Sequence, residues 1–178
     1  KEFETTYKDG KRIGLWTGWH ENGQKEEETT YKDGKYDGLV TRWYSNGQKE
    51  EEGTYKDRKK IGKWTYWHRN GQKKEEGTRK NGKLDGLVTG WYENGQKKWE
   101  GTYKGVNFKG EPIKDGLWTW WKWNGQKKKE GSYKDGEKDG LWTWWYENGQ
   151  KMTVRTYKDE ELISQNCWDK DGIEKDCE

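Results

Sequence analysis

The chain has 178 residues, enough for one ordinary domain, yet only 26% are hydrophobic and 39% are charged, a balance that usually goes with disorder. Fifteen Trp and eleven Tyr beside a single Pro exclude a solvated tail, because each ring carries a large apolar area, so the aromatics must stand in for an aliphatic core. The 36 basic and 33 acidic residues are mixed along the chain for a net charge of +3; this gives no block of one sign to mark a nucleic-acid or membrane footprint, and no stretch approaches the roughly 18 apolar residues of a membrane-spanning helix.

The chain opens at Lys1 in mid-pattern, as expected of a piece of a longer one, and Phe3 to Lys8 reads as a strand ending at Asp9-Gly10. Two turn signals then alternate. Asn-Gly pairs begin at Asn22, Asn46, Asn70, Asn94, Asn124 and Asn148, at intervals of 24, 24, 24, 30 and 24 residues, and a fixed period of this kind indicates a repeat architecture. Between them stand Asp33-Gly34, the degenerate Asp57-Arg58, Asn81-Gly82 and Asp135-Gly136. Asn-Gly and Asp-Gly supply the positive φ values of two-residue type I′ turns, and the flanking segments are rich in Trp, Tyr, Thr and Val. The repeat is therefore a β-hairpin of ~24 residues, and the fold class is all-β: an elongated, single-layer antiparallel meander of about thirteen or fourteen strands. The six extra residues around 106–113 are expected to lengthen a loop, and being even in number they leave side-chain parity intact. Two regions follow, residues 1–158 as tandem hairpins and 159–178 as a capping hairpin.

Counting outward from two-residue turns sets His20 opposite Lys25, Trp19 opposite Glu26, Thr17 opposite Glu28 and Trp16 opposite Thr29. It also sets Trp64 opposite Gly77, Trp118 opposite Gly131, Val40 opposite Gly53 and Val88 opposite Gly101. A large side chain can shield the bare backbone of a glycine across a strand pair. Two face columns result. One carries Leu15, Thr17 and Trp19 with their copies, and its Trp recurs in every repeat as Trp19, Trp43, Trp67, Trp91, Trp121 and Trp145; this column is expected to be structural. The other carries Trp16, Val40, Trp64, Val88, Trp118 and Trp142 beside a position that changes from Gly18 to Arg42, Tyr66, Gly90, Trp120 and Trp144. Recognition is expected on this second face, with Trp118, Trp120, Trp142 and Trp144 as the main patch and Tyr66 and Arg42 as further candidates.

Segments such as "GTYKDGKYDGLVTRWYSNGQK" and "GSYKDGEKDGLWTWWYENGQK" resemble MORN (membrane occupation and recognition nexus) repeats, in particular the variant of the bacterial YwqK-type antitoxin family, from about Thr6 to Lys158. The resemblance implies a meander used for protein binding or assembly, without catalysis. In the tail, Trp168 and Asp171-Gly172 echo the preceding repeat at an interval of 23 residues, so that hairpin is expected to need a bulge or a changed loop. Cys167 and Cys177 flank its turn. They are expected to form a cross-strand disulfide in an oxidising compartment, that is, extracellular, periplasmic or at the cell surface; the alternative is two free thiols in a cytoplasmic antitoxin-like protein.

Catalytic and cofactor readings fail on the residues. His20 and His68 share their repeat position with Tyr44, Tyr92 and Tyr146 and have no patterned nucleophile beside them. Glu28, Glu52, Glu76, Glu100 and Glu130 recur once per repeat beside lysines, as cross-strand pairs do. Asp169, Asp171 and Asp176 lack the distal bidentate Glu of a calcium loop, and no glycine-rich phosphate loop is present. No enzyme activity, cofactor or metal is expected. Lys and ring interleaving could suit single-stranded nucleic acid, but each Lys run is followed by Glu, and no polybasic cluster favours membrane lipid. A protein partner, or self-association through sheet edges such as that of Lys1–Lys8, is the leading expectation, with glycan or cell-wall binding by the rings as the alternative. Within the first reading three uses compete: a toxin's antitoxin or immunity partner, an adhesion or filament subunit, and a spacer.

Overall fold

In a computed structural model that describes residues 2–177, the protein is all-β, with fifteen antiparallel strands and no helix among those residues. Two compact units divide at Leu84 and Asp85. In the first, β1 (Phe3–Lys8), β2 (Lys11–Trp19), β3 (Lys25–Lys32), β4 (Lys35–Trp43), β5 (Lys49–Lys56), β6 (Lys59–Trp67) and β7 (Lys73–Lys80) pair in chain order. The second holds β8 (Lys83–Trp91) from Asp85 onward, then β9 (Lys97–Val106), β10 (Pro112–Trp121), β11 (Lys127–Lys134), β12 (Glu137–Trp145), β13 (Lys151–Lys158), β14 (Glu161–Trp168) and β15 (Glu174–Lys175), again in chain order. Each unit is an open, single-layer meander of tandem hairpins. The strand total passes the expected one because the tail contributes both β14 and β15.

The two turn signals give two different turns. Asp9 and Gly10 both have positive φ, 48° and 72°, as do Asp33-Gly34, Asp57-Arg58, Asn81-Gly82, Asp135-Gly136 and Asp159-Glu160, and these are the two-residue type I′ turns expected. The Asn-Gly turns are not of this kind. Gly23 N donates to His20 O and His20 N to Gln24 O, while only Gly23, at 84°, has positive φ; this is a three-residue loop built on a type I turn with glycine in the left-handed region. The longer loop shifts the register by one, so Trp19 faces Lys25 rather than Glu26. A bulge between Gly18 and Trp19 then restores the expected pairs Thr17↔Glu28 and Trp16↔Thr29. Trp64↔Gly77, Trp118↔Gly131, Val40↔Gly53 and Val88↔Gly101 also stand as counted.

A second irregularity recurs on the other side of each repeat. Between Thr29↔Val40 and Tyr31↔Tyr36 the register moves by two residues, which keeps every side chain on its face. In β13–β14 the corresponding move, between Thr156↔Ser164 and Tyr157↔Leu162, is a single residue. The 23-residue interval in the tail is absorbed there, and the final loop is of the common kind, with Asp169 N donating to Ile173 O and Gly172 N to Asp169 O. The insertion near 106–113 lengthens the loop, where five residues stand between β9 and β10 in place of the two of the corresponding hairpins, and the strands as well. β9 and β10 have ten residues each and close through the same three-residue turn at Asn107–Glu111.

The core lies on the face that was expected to vary. Val40, Trp64, Val88 and Trp142 are fully buried and Trp118 is 2% exposed. Their rings and methyls lie on the backbone of the sheet itself, which supplies the missing second layer. On the opposite face Thr17, Thr41, Thr65, Thr89, Thr119 and Thr143 are buried, and the recurrent tryptophans Trp19, Trp43, Trp67, Trp91, Trp121 and Trp145 are half-buried. Lysine covers these rings: Lys25, Lys49, Lys97 and Lys127 Nζ stand 5.5–5.6 Å from the ring centroids of Trp43, Trp67, Trp121 and Trp145. The same lysines pair with Glu28, Glu52, Glu100 and Glu130, and Thr41, Thr89 and Thr119 bond to Glu52, Glu100 and Glu130.

Candidate functional site

Alternation along β10 and β12 puts Trp118 with Trp120, and Trp142 with Trp144, on one face. Pairing then aligns Trp120 with Trp99 on β9 and with Lys129 on β11, and Lys129 with Trp144. The result is a row of five indoles in the second unit. Centroid steps are 6.1 Å from Trp99 to Trp118, 5.7 Å to Trp120, 5.9 Å to Trp142 and 5.8 Å to Trp144, with planes inclined by only 25–31°. Tyr103, Tyr133 and Tyr157 stand edge-on against Trp118 and Trp142. The indole N–H groups of Trp118 and Trp142 donate to Thr102 O and Ser132 O, so their polar ends are satisfied inside the sheet.

Of the four rings expected to form a binding patch, Trp118 and Trp142 are thus buried floor, and Trp120 and Trp144 are half-buried and reachable. Lysines crowd the row. Lys114 Nζ is 4.7 Å from the Trp118 centroid, 5.4 Å from Trp120 and 5.0 Å from Tyr133; Lys129 Nζ is 4.3 Å from Trp120; Lys138 Nζ is 5.3 Å from Trp142 and 4.8 Å from Tyr157. A cavity of about 190 Å³ is lined by Trp99, Tyr103, Lys114, Trp118 and Trp120. Burial, then the neighbouring Lys129, lowers the pKa of Lys114; burial, then Lys138 and Lys128, lowers that of Lys129. Burial raises the Tyr133 phenol, with Glu160 adding to it.

Arg42 and Tyr66 are not gathered with these rings. In the first unit Arg42 Nε is 2.5 Å from Glu27 Oε2 and its Nη1 pairs with Glu51. Lys60 Nζ bridges Glu51 at 2.9 Å and Tyr66 OH at 2.9 Å while lying 3.8 Å from the Trp64 centroid. Both candidates are therefore engaged within the chain.

The residue before each Glu-Asn-Gly or equivalent has a role that sequence reasoning missed. Tyr44, Tyr92 and Tyr146 OH donate to the carbonyls of Trp67, Trp121 and Trp168 at 2.8–2.9 Å. His20 Nε2 lies 2.8 Å from Trp43 O, an arrangement that requires the Nε2–H tautomer. The turn asparagines do the same beside them: Asn22, Asn46, Asn94 and Asn148 Nδ2 donate to Ser45, Arg69, Trp123 and Lys170 O. The signal was present in the repetition of Tyr or His at one position, but its partner is one repeat away. His20 is thus a tie between repeats. Asp169 Oδ1 accepts from the N–H of Asp171 and Ile173, as a turn aspartate does, and no group of three metal-ligating side chains exists among the described residues. Cys167 and Cys177 are disulfide-bonded, with Cα atoms 5.4 Å apart.

Tandem hairpins with an aromatic and cationic face define a repeat protein of the binding class. Six segments, 12–33, 36–57, 60–81, 84–104, 114–135 and 138–159, match the family model described as MORN repeat variant. These segments cover most of the chain, which belongs to that family. No curated protein matches the chain.

Proposed function

We propose that the protein is a non-catalytic, protein-binding scaffold and that its contact surface is the tryptophan and lysine face of the second unit. The observation that carries this is the pair of half-buried rings, Trp120 and Trp144, set on the buried floor of Trp118 and Trp142. Large rigid rings on a well-packed base are the kind of group that dominates protein contacts. Self-association through sheet edges belongs to the same reading, since β1 is paired with β2 alone among the described strands. Residues 159–178 act in it as the capping region, stapled by Cys167–Cys177. That disulfide favours an extracellular, periplasmic or cell-surface setting. The narrower likeness to YwqK-type antitoxins rests on the repeat alone, which the wider family shares.

Glycan binding is the second reading, because half-buried indoles beside a cavity also suit sugar rings. Affinity capture with the intact chain and with a Trp120→Ser/Trp144→Ser variant separates the two. A polypeptide retained by the first and lost from the second supports the proposal. Equal retention by both, or retention of a polysaccharide in place of a polypeptide, overturns it.

A further inference from the structure

One strand position, paired in the second unit with Trp120 or Trp144, reads Glu27, Glu51, Glu75, Trp99, Lys129 and Thr153 along the chain. A second reads Arg12, Tyr36, Lys60, Leu84, Lys114, Lys138 and Leu162. In the first unit the carboxylates neutralise the cations around them, with Glu51 holding Lys60 and Arg42, and Glu27 holding Arg42. In the second unit the carboxylates are replaced by Trp99, Lys129 and Thr153, while the cations persist as Lys114 and Lys138.

Lys114, Lys129 and Lys138 have no ion-pair partner among the described residues; the acidic side chains of that region pair elsewhere or act at a distance, as Glu160 does on Tyr133. These lysines stand on the adjacent strands β10, β11 and β12, partly withdrawn from water against the rings. Like charges gathered in this way raise one another's free energy, and an anion placed among them relieves the repulsion.

Resting on the reading of this face as a binding surface, we infer that its partner is an extended acidic polypeptide whose carboxylates seat between Lys114 and Lys129 and whose stems lie against Trp120 and Trp144. Side chains on one side of an extended chain recur about every 6.8 Å. The reachable rings Trp120 and Trp144 lie two steps of the row apart, 5.9 and 5.8 Å by way of the buried Trp142, so a strand laid along the row can set apolar stems against these two rings and carboxylates at the lysines beside them. The site is electrostatic and aromatic together, and it therefore weakens with salt while retaining a preference for apolar residues between the acids.

The test is a fluorescence anisotropy titration with a short labelled peptide of alternating Glu and Val, set against a Lys-Val peptide, a galacturonate oligomer and oligo(dT). The Glu-Val peptide should bind the intact chain, and about tenfold or more weakly to a Lys114→Gln/Lys129→Gln variant. Lys114→Arg/Lys129→Arg, which keeps the charge, should retain binding, as should Lys74→Gln/Lys80→Gln in the first unit. No binding of the Glu-Val peptide, equal binding by the Lys→Gln variant, or a preference for the galacturonate oligomer or oligo(dT) overturns the inference. If capture of a protein partner is lost in Trp120→Ser/Trp144→Ser but unchanged in Lys114→Gln/Lys129→Gln, the acidic partner is wrong and the scaffold reading stands. If neither variant affects capture, both fail.

Discussion

The Trp142 indole lies flat against Gly131, with its Cδ2, Cε2 and Cγ atoms 2.1–2.4 Å from the position that a Cβ on Gly131 would occupy. Trp64 covers Gly53 and Trp118 covers Gly101 in the same way. A methyl group at Gly131 must push the ring away, and overpacking of this kind costs roughly 1–3 kcal/mol. Gly131→Ala should lower the thermal unfolding midpoint and shift the Trp fluorescence. Trp142→Ala should cost more, about 3–5 kcal/mol, and more than Trp67→Ala, because Trp67 is only half-buried.

Removal of one hydroxyl tests the ties between repeats. Tyr146→Phe deletes the 2.8 Å bond to Trp168 O and leaves that carbonyl without it, at a cost of about 1 kcal/mol. Amide hydrogen exchange should accelerate at Asp169, which bonds to Ile173 in the adjoining turn, and stay unchanged in β10 and β11.

Reduction of Cys167–Cys177 should loosen the tail alone. The bridge closes a short loop, for which chain-entropy reasoning gives roughly 2–3 kcal/mol, and β15 is only two residues long. Hydrogen exchange with and without reductant should show lost protection at Glu174 and Lys175 and none at Trp142. Loss of global unfolding cooperativity would contradict this.

Two pH responses of the same sign are expected, one in the acid range and one in the alkaline range. Glu76, although partly desolvated, is held below the ordinary carboxylate range by hydrogen bonds and charge from Lys73 and Lys63; a depressed folded pKa stabilises above the unfolded value, and that contribution is lost as pH falls through the folded one. Lys114 and Lys129 have depressed folded pKa values caused chiefly by burial. The unfolded state binds more protons between the folded and unfolded values, so stability gains from these two groups as pH rises through that window. Lysine-detected NMR titration should give both ammoniums midpoints below that of an ordinary lysine, and denaturant unfolding should show stability rising with pH in both windows.

Much of the molecule was legible in the chain itself. The 24-residue spacing of Asn-Gly and the alternation of Trp, Thr and Leu determined an antiparallel hairpin repeat, the two-face parity and the outer pairs such as Thr17↔Glu28. Cys167 and Cys177 announced their partnership by flanking one turn. These are local signals: a turn residue states its φ requirement, and a strand of period two sorts its own side chains.

Only the tertiary structure decided which column becomes core. Parity separates Trp142 from Trp145 but says nothing of which one is covered, because a single-layer sheet has no second layer to assign an inside. The answer came from where the bare backbone lies: glycines at 53, 101 and 131 let the Trp64, Trp118 and Trp142 rings settle on the sheet, while Trp145 keeps an exposed side beneath Lys127. The tie from Tyr146 to Trp168 O and the unneutralised trio Lys114, Lys129 and Lys138 depend likewise on contacts between strands far apart in sequence, where pairing geometry sets the distance and composition does not.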